Sequence, residues 1–144
     1  MKLICREFSN KEQIPLNIRK QLYTLSLYSD GGRFSSVGSA LVDGLVRLYK
    51  YQIKIKIAYL LDDANKVISW GSLNENNDIH VYTRKNFREH GFGKKIYTAL
   101  TKKHSSDIFV YPHSDASIKF YSNFNNCIIN SNGCCECQTC LREF

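Results

Sequence analysis

The chain has 144 residues, 43% of them hydrophobic and 23% charged, a length and balance that fit one globular domain with its own core. Its formal net charge of +7 favours partners that carry phosphate, namely nucleic acid, an anionic membrane surface or a phosphorylated cofactor. No apolar run approaches the roughly 18–20 residues that cross a bilayer, and residues 1–7 lack the features of a secretion signal. We therefore expect a cytoplasmic protein with reduced thiols and no membrane-spanning helix.

The first part of the chain predicts one strand followed by two helices. Residues 2–8 alternate enough to form a strand. Apolar residues recur at helical spacing over 14–25, and this helix begins either at a capping box that starts with Ser9 or with Pro15 in its first turn. A second helix is predicted over 36–49.

Three strands are predicted next. Residues 53–59 alternate apolar and basic side chains, and 62–66 have turn composition. Residues 67–73 then form the returning strand of a hairpin. After a loop at 74–77, a fourth strand is predicted over 78–83.

The last part of the chain predicts a helix, a strand, a second helix and a strand pair. The helices are expected over 94–104 and 114–124, with a strand over 107–111 between them. The tail over 127–144 resembles a hairpin with its turn at 132–133. The element order is therefore β-α-α-β-β-β-α-β-α-β-β, which predicts a single α/β domain over the whole chain.

A basic, glycine-rich loop joins the fourth predicted strand to the helix after it. Seven basic residues and one acid lie in this region: Arg84, Lys85, Arg88, Lys94, Lys95, Lys102 and Lys103 against Glu89. A helix N-terminus offers free backbone N–H groups and the positive end of a dipole, and Gly91 and Gly93 let the backbone close around a phosphate. The pattern predicts an anion site, although glycines here also suit a simple tight turn. A Rossmann fingerprint and a Walker loop are both absent.

This loop resembles the phosphate loop of the GNAT family of N-acetyltransferases, which reads [RQ]-x-x-G-x-[GA] between a central strand and a helix. Here the motif is Arg88-x-x-Gly91-x-Gly93. The order of elements is also similar, and the run Phe120-Tyr121-Ser122-Asn123-Phe124 matches a second family signature. The sequence departs from the family pattern at Thr83, where a valine ends the strand, and at Glu89, where glycine is frequent.

The resemblance implies a mixed sheet of about seven strands flanked by about four helices. It also implies transfer of an acetyl group from acetyl-CoA to an amine by direct attack in a ternary complex. The residues that it places at the cofactor are Val81, Tyr82, Thr83, Arg88, Glu89, His90, Gly91, Phe92, Gly93 and Lys94.

The same resemblance implies Tyr121 as the acid that protonates the leaving sulfur, a role that suits a phenol protonated at neutral pH. An alternative is that Tyr121 only packs in its helix with the hydroxyl at the surface. His80 and Glu75 are the candidates for the base that deprotonates the amine, with Asp78 and His113 as further candidates.

Four cysteines in the tail raise the question of a zinc site. On a strand, Cys134 and Cys140 would face one side while Cys135 and Cys137 face the other, so one ion could not collect all four. We therefore expect no metal.

The main alternative is a catalytically inactive module with the same fold that binds CoA or nucleic acid. Basic residues interleaved with tyrosines suit single-stranded nucleic acid, although the cofactor's own phosphates explain the basic loop more simply. The amine acceptor stays open among a protein lysine, a protein N-terminus, a polyamine and an aminoglycoside. A homodimer through an exposed sheet edge also stays open.

Overall fold

The computed structural model describes residues 1–8, 14–27, 54–110 and 115–130. Its elements are β1 (Lys2–Phe8), α1 (Leu16–Leu27), β2 (Ile55–Leu61), β3 (Val67–Leu73), β4 (Ile79–Thr83), a 3-10 turn (Lys85–Phe87), α2 (Phe92–Thr101), β5 (Ile108–Val110), α3 (Asp115–Tyr121) and β6 (Cys127–Ile129). None of the helices within these ranges is long and apolar enough to span a membrane.

The first four strands form one antiparallel sheet in the order β1-β2-β3-β4. In the two tight turns of this sheet, a side chain accepts hydrogen bonds from backbone amides. Asp62 Oδ1 accepts hydrogen bonds from the Ala64 and Lys66 amides between β2 and β3. Asn74 Oδ1 accepts from the Asn76 and Asp78 amides between β3 and β4. Each turn therefore satisfies two backbone donors locally, which is why Asp and Asn favour these positions.

The other two strands, β5 and β6, pair with each other in parallel. They join the main sheet at one end of β4, where Asp78 bridges to Phe109 and the Phe109 amide donates to Asn77 O at 2.8 Å. Beyond this bridge β4 and β5 belong to separate sheets. We call the opening between them the β4–β5 split.

Two hydrophobic cores lie on opposite faces of the antiparallel sheet. The α1 core includes Ile18 and Leu22 of the helix and Trp70 of β3. The α2 core includes Ile96 and Leu100 of the other helix. Alternation along the strands supplies apolar side chains to both faces, because both are covered by a helix.

Gly71 on β3 allows α2 to approach the sheet closely. A Cβ at this position would lie 2.5 Å from His80 O, 2.9 Å from Ile96 Cγ2 and 3.1 Å from Leu100 Cδ1. The first of these contacts is with backbone, so even an alanine side chain requires the strands or α2 to shift.

The structure confirms a mixed α/β architecture and corrects several predicted boundaries. The helix expected over 94–104 runs from Phe92 to Thr101, because Gly91 takes a left-handed conformation just before it and Lys102 leaves the helical region. The helix expected to reach Phe124 ends at Tyr121 and continues as a short turn. The helix predicted near Pro15 begins at Leu16, which favours the second of its two expected starts.

The described residues contain six strands and three α-helices, so the expected seven strands and four helices are not established. The helix predicted over 36–49 and most of the tail hairpin, including its turn at 132–133 and its four cysteines, lie outside the described residues. In place of one continuous mixed sheet, the described part contains an antiparallel and a parallel sheet linked by a bridge.

Candidate functional site

The register of β3 and β4 determines which backbone groups face the β4–β5 split. The Arg84 amide donates to Ile68 O on β3 at 2.9 Å. Residues two apart in an antiparallel ladder point the same way, so the Tyr82 backbone also faces β3, whereas the backbones of Val81 and Thr83 face away from it. Of the three predicted amide donors on β4, Val81 and Thr83 are therefore oriented toward the split.

Tyr121 at the end of α3 lies at this edge. Its hydroxyl oxygen accepts a hydrogen bond from the Val81 amide at 3.2 Å, and the side chain is only 6% exposed. Burial raises the pKa of the Tyr121 phenol, and the Val81 amide offsets part of that rise. The phenol therefore stays protonated at neutral pH. Because its oxygen acts as an acceptor toward Val81, its own hydrogen is available for another partner.

Aromatic packing fixes the position of Tyr121. Phe120 meets its ring edge-on at 4.9 Å between centroids. Tyr97 of α2 lies 6.3 Å away, stacks on Phe124 at 3.6 Å and donates its hydroxyl hydrogen to Asn126 Oδ1 at 2.9 Å. The ring is therefore packed as the alternative interpretation expects, but its hydroxyl does not lie at the surface, because Tyr121 is buried and its oxygen accepts from the Val81 amide.

The glycine-rich loop ends in a left-handed cap. Gly91 has φ 80° immediately before α2, and the Lys95 amide donates to its carbonyl as the first hydrogen bond of the helix. The preceding amides of Phe92, Gly93 and Lys94 are consequently available to a ligand. Gly93 also packs closely, since a Cβ there would lie 3.2 Å from Phe120.

The charge around this helix start is positive. Lys85, Arg88, Lys94 and Lys95 are exposed, and the first turn of α2 contains no acid. Lysines beside the positive end of a helix dipole are unfavourable unless an anion neutralises them. The arrangement therefore favours an anionic ligand.

Arg88, expected at the cofactor, also makes a contact within the chain. Its Nε donates to Thr83 O at 2.9 Å, and its guanidinium lies 5.7 Å from the centroid of the Tyr82 ring. Arg88 therefore secures the end of β4. Glu89 next to it is exposed and has φ 65°, a conformation that glycine adopts more easily.

The candidate bases lie apart from one another. The register places His80 beside Ser72, and Ser72 beside Ile57 of the α1 core, so His80 is on the α1 face next to Val81. Glu75 is exposed in the turn between β3 and β4, beyond the closed end of the split. His113 lies outside the described residues.

Sequence reasoning missed Ser69, which is fully buried on β3 and contacts the end of β4. The signal for it was a small polar residue within a buried strand that is mostly apolar, although Ser72 on the same strand gives the same signal. Within the described ranges, no three residues of the metal-ligating types come together.

The sequence matches no family model and no curated protein. The structure is similar to a candidate acetyltransferase from Exiguobacterium sp. 255-15, with a TM-score of 0.56, 14% identity and coverage of 87% of this chain and 85% of that one. It is also similar to an acetyltransferase of the GNAT family from Staphylococcus aureus Mu50, with a TM-score of 0.54, 14% identity and coverage of 85% and 81%. At these identities the likeness establishes a shared α/β fold.

Proposed function

We propose that the chain is an N-acetyltransferase that moves an acetyl group from acetyl-CoA to an amine by direct attack in a ternary complex. The observation that carries the proposal is the buried Tyr121 phenol at the β4–β5 split, hydrogen-bonded to the Val81 amide. A protonated acid and an edge amide thus occur together, close to a helix start with free amides. The fold shared with acetyltransferases supports the same conclusion.

The residues present suit an acyl-CoA. The amides of Phe92, Gly93 and Lys94 and the positive end of α2 would hold the pyrophosphate. The exposed lysines around them would add attraction that weakens with salt. The amide-bearing pantetheine arm would run along the edge of β4, where Val81 and Thr83 offer strand-like hydrogen bonds.

In the proposed reaction the amine nitrogen attacks the thioester carbon as a base takes its proton, and the carbon–sulfur bond breaks. The carbonyl oxygen gains negative charge during attack, and we assign its stabilisation to the Val81 amide. The sulfur leaves as a thiolate and takes a hydrogen bond, and then the proton, from Tyr121. The raised pKa of Tyr121 keeps this donor protonated at the pH where the amine must be neutral.

In the free chain the Val81 amide already has a partner, because Tyr121 accepts its hydrogen bond. A thioester carbonyl that enters the split would compete with the phenol for this amide. We infer that binding exchanges one acceptor for the other and leaves the Tyr121 hydroxyl free to turn toward sulfur.

For the base we favour His80 over Glu75. His80 immediately precedes Val81 on β4. Glu75 is more distant, because Asp78 is already about 10 Å from Val81 at the rise of a strand, and Glu75 lies beyond Asp78. A histidine also has an ordinary pKa suited to proton transfer near neutrality. Since His80 faces the α1 core, we propose that the amine approaches from that face.

A second candidate is the inactive module that binds CoA or nucleic acid. The exposed basic side chains at both ends of α2, including Lys94, Lys95, Lys102 and Lys103, favour polyanion binding. Nucleic-acid affinity would fall steeply as salt rises. Turnover of acetyl-CoA with an amine would exclude a catalytically inactive module.

The test is acetyl-CoA binding by calorimetry to the wild type and to a Gly91→Glu/Gly93→Glu variant. We expect the affinity of the variant for acetyl-CoA to fall by more than about tenfold, because two negatively charged side chains would stand beside the amides that would bind the phosphates. Thr98→Glu, on the exposed side of the same helix, is the matched control and should bind normally. Absence of binding by the wild type to any acyl-CoA would refute the proposal.

A further inference from the structure

The hydroxyl groups of Ser69 on β3 and Thr83 on β4 form a short hydrogen-bonded chain at the C-terminal end of β4. Ser69 Oγ donates to Tyr82 O at 3.0 Å and lies 2.7 Å from Thr83 Oγ1. A serine hydroxyl has one hydrogen, so when it is donated to the carbonyl, Thr83 must donate to Ser69. The chain is therefore directed from Thr83 through Ser69 to the Tyr82 carbonyl.

Ser69 is held in this role by the strand register. Ser69 and Thr83 are opposite each other in a pair that exchanges no backbone hydrogen bonds, and in such pairs the side chains approach most closely. Ser69 is 0% exposed, so its hydroxyl must find partners inside the protein. An alanine or valine would fill the site without that requirement.

Thr83 connects three parts of the candidate site. Its side chain contacts Ser69 on β3, and its carbonyl accepts from Arg88 Nε in the loop. Its Oγ1 also lies 3.5 Å from where a Cβ of Gly93 would stand at the start of α2. A displacement of Thr83 would therefore alter the distance between the β4 edge and the helix amides.

We infer that Ser69 is a positioning residue for the acyl donor. Through Thr83 and the Tyr82 carbonyl, it fixes the end of β4 relative to the start of α2, so that edge amides and helix amides meet one ligand together. This inference rests on the proposed function, since only a ligand that spans both sets of amides makes their separation matter.

The test compares the affinities of two ligands for the wild type and for three single variants. Acetyl-CoA spans the β4 edge and the helix start, whereas ADP carries only the diphosphate and nucleoside. Ser69→Ala and Thr83→Val remove the two hydroxyls at nearly constant volume, and Thr83→Ser retains the hydroxyl as the conservative rescue. Affinities are measured by calorimetry and folding by thermal unfolding.

We expect Ser69→Ala and Thr83→Val each to weaken acetyl-CoA binding by about tenfold while ADP binding changes by less than about twofold. Thr83→Ser should bind acetyl-CoA like the wild type. The Ser69→Ala/Thr83→Val double variant should lose no more than the larger single effect, because both changes break one chain.

Three outcomes would overturn the inference. Wild-type affinity for acetyl-CoA in both single variants would show that the hydroxyls do not position it. Equal losses for acetyl-CoA and ADP would indicate general structural damage. A wild type that binds ADP but no acetyl-CoA would refute the proposed function as well. This result differs from unchanged affinity in the variants, which would overturn only the role of Ser69.

Discussion

The two ends of β4 differ in how their outer backbone groups are satisfied. At the first end, the Asp78–Phe109 bridge and the hydrogen bond from the Phe109 amide to Asn77 O join β4 to β5. At the other end, Val81 pairs with the Tyr121 hydroxyl and Thr83 with Arg88. Strand pairing holds one end, and side chains hold the other.

This difference bears on where the proposed reaction would take place. Buried backbone groups need partners, and a strand neighbour is a permanent one. A side-chain partner can turn away and leave its amide to a ligand. The closed end therefore contributes stability, whereas the open end can exchange partners, and variants at the two ends should affect different measurements.

The largest expected effect is at the open end. Tyr121→Phe removes the proposed acid, and we expect the turnover number to fall by about 100-fold, within the range for loss of a general acid. Acetyl-CoA affinity should change little, because the phenyl ring keeps its packing. Steady-state kinetics with an amine acceptor, together with calorimetry, measure both quantities.

Tyr97→Phe is the matched control, since it removes the hydrogen bond to Asn126 and leaves Tyr121 intact. Its turnover should remain within about threefold of the wild type. An undiminished rate in Tyr121→Phe would eliminate the proposed acid.

At the closed end, Asn74→Ala should lower the free energy of unfolding by about 1 kcal/mol, because the part-buried Asp78 amide loses its acceptor, whereas water can replace the acceptor of the exposed Asn76 amide. Urea denaturation measures this change. Acetyl-CoA affinity should stay unchanged. A large loss of affinity would show that the two ends do not act independently.

The pH dependence of stability should also reflect the open end. The folded-state pKa of Tyr121 is raised above its unfolded value of about 10. Its contribution to stability is therefore complete below pH 10 and is lost as the pH rises toward the folded-state pKa, by at most about 1.4 kcal/mol per pH unit. Urea denaturation at pH 8 to 10.5 should show a shallower fall in Tyr121→Phe than in the wild type. Parallel curves would contradict this.

The smallest effects are expected at Glu89. Glu89→Gln removes a negative charge beside the proposed phosphate site and should tighten acetyl-CoA binding by about threefold. Glu89→Gly should add stability of about 0.5–1 kcal/mol, since it also relieves the left-handed conformation at φ 65°. Comparing the two variants by calorimetry and thermal unfolding separates charge from backbone conformation. If Glu89→Gly melts at or below the temperature of Glu89→Gln, strain at this residue is not significant.

The sequence predicted those elements whose limits are encoded locally. The strand over 67–73 was placed correctly because turn residues precede it at Asp62 and follow it at Asn74. The limits of α2 were missed because its start depends on the conformation of Gly91, which the sequence permits but does not require.

The candidate site was predictable as a set of residues and not as a geometry. The loop motif and Tyr121 were identified, yet the contact between Tyr121 and Val81 joins residues 40 positions apart in the chain. Ser69 went unnoticed for the same reason, since its role exists only when the strand register places it opposite Thr83. Long-range pairing of this kind leaves no periodic signal in either strand.

A substitution at Gly71, beneath the middle of α2, can affect the start of that helix from a distance. The middle of α2 packs over Gly71, where a Cβ would lie 2.9 Å from Ile96 Cγ2 and 3.1 Å from Leu100 Cδ1. One methyl group there would also lie 2.5 Å from His80 O, so the strands or α2 must shift, and a shift of α2 would move the start of the helix, where we propose that the phosphates bind. A substitution beneath the helix, with no access to any ligand, would thus present itself in an assay as a defect in donor affinity.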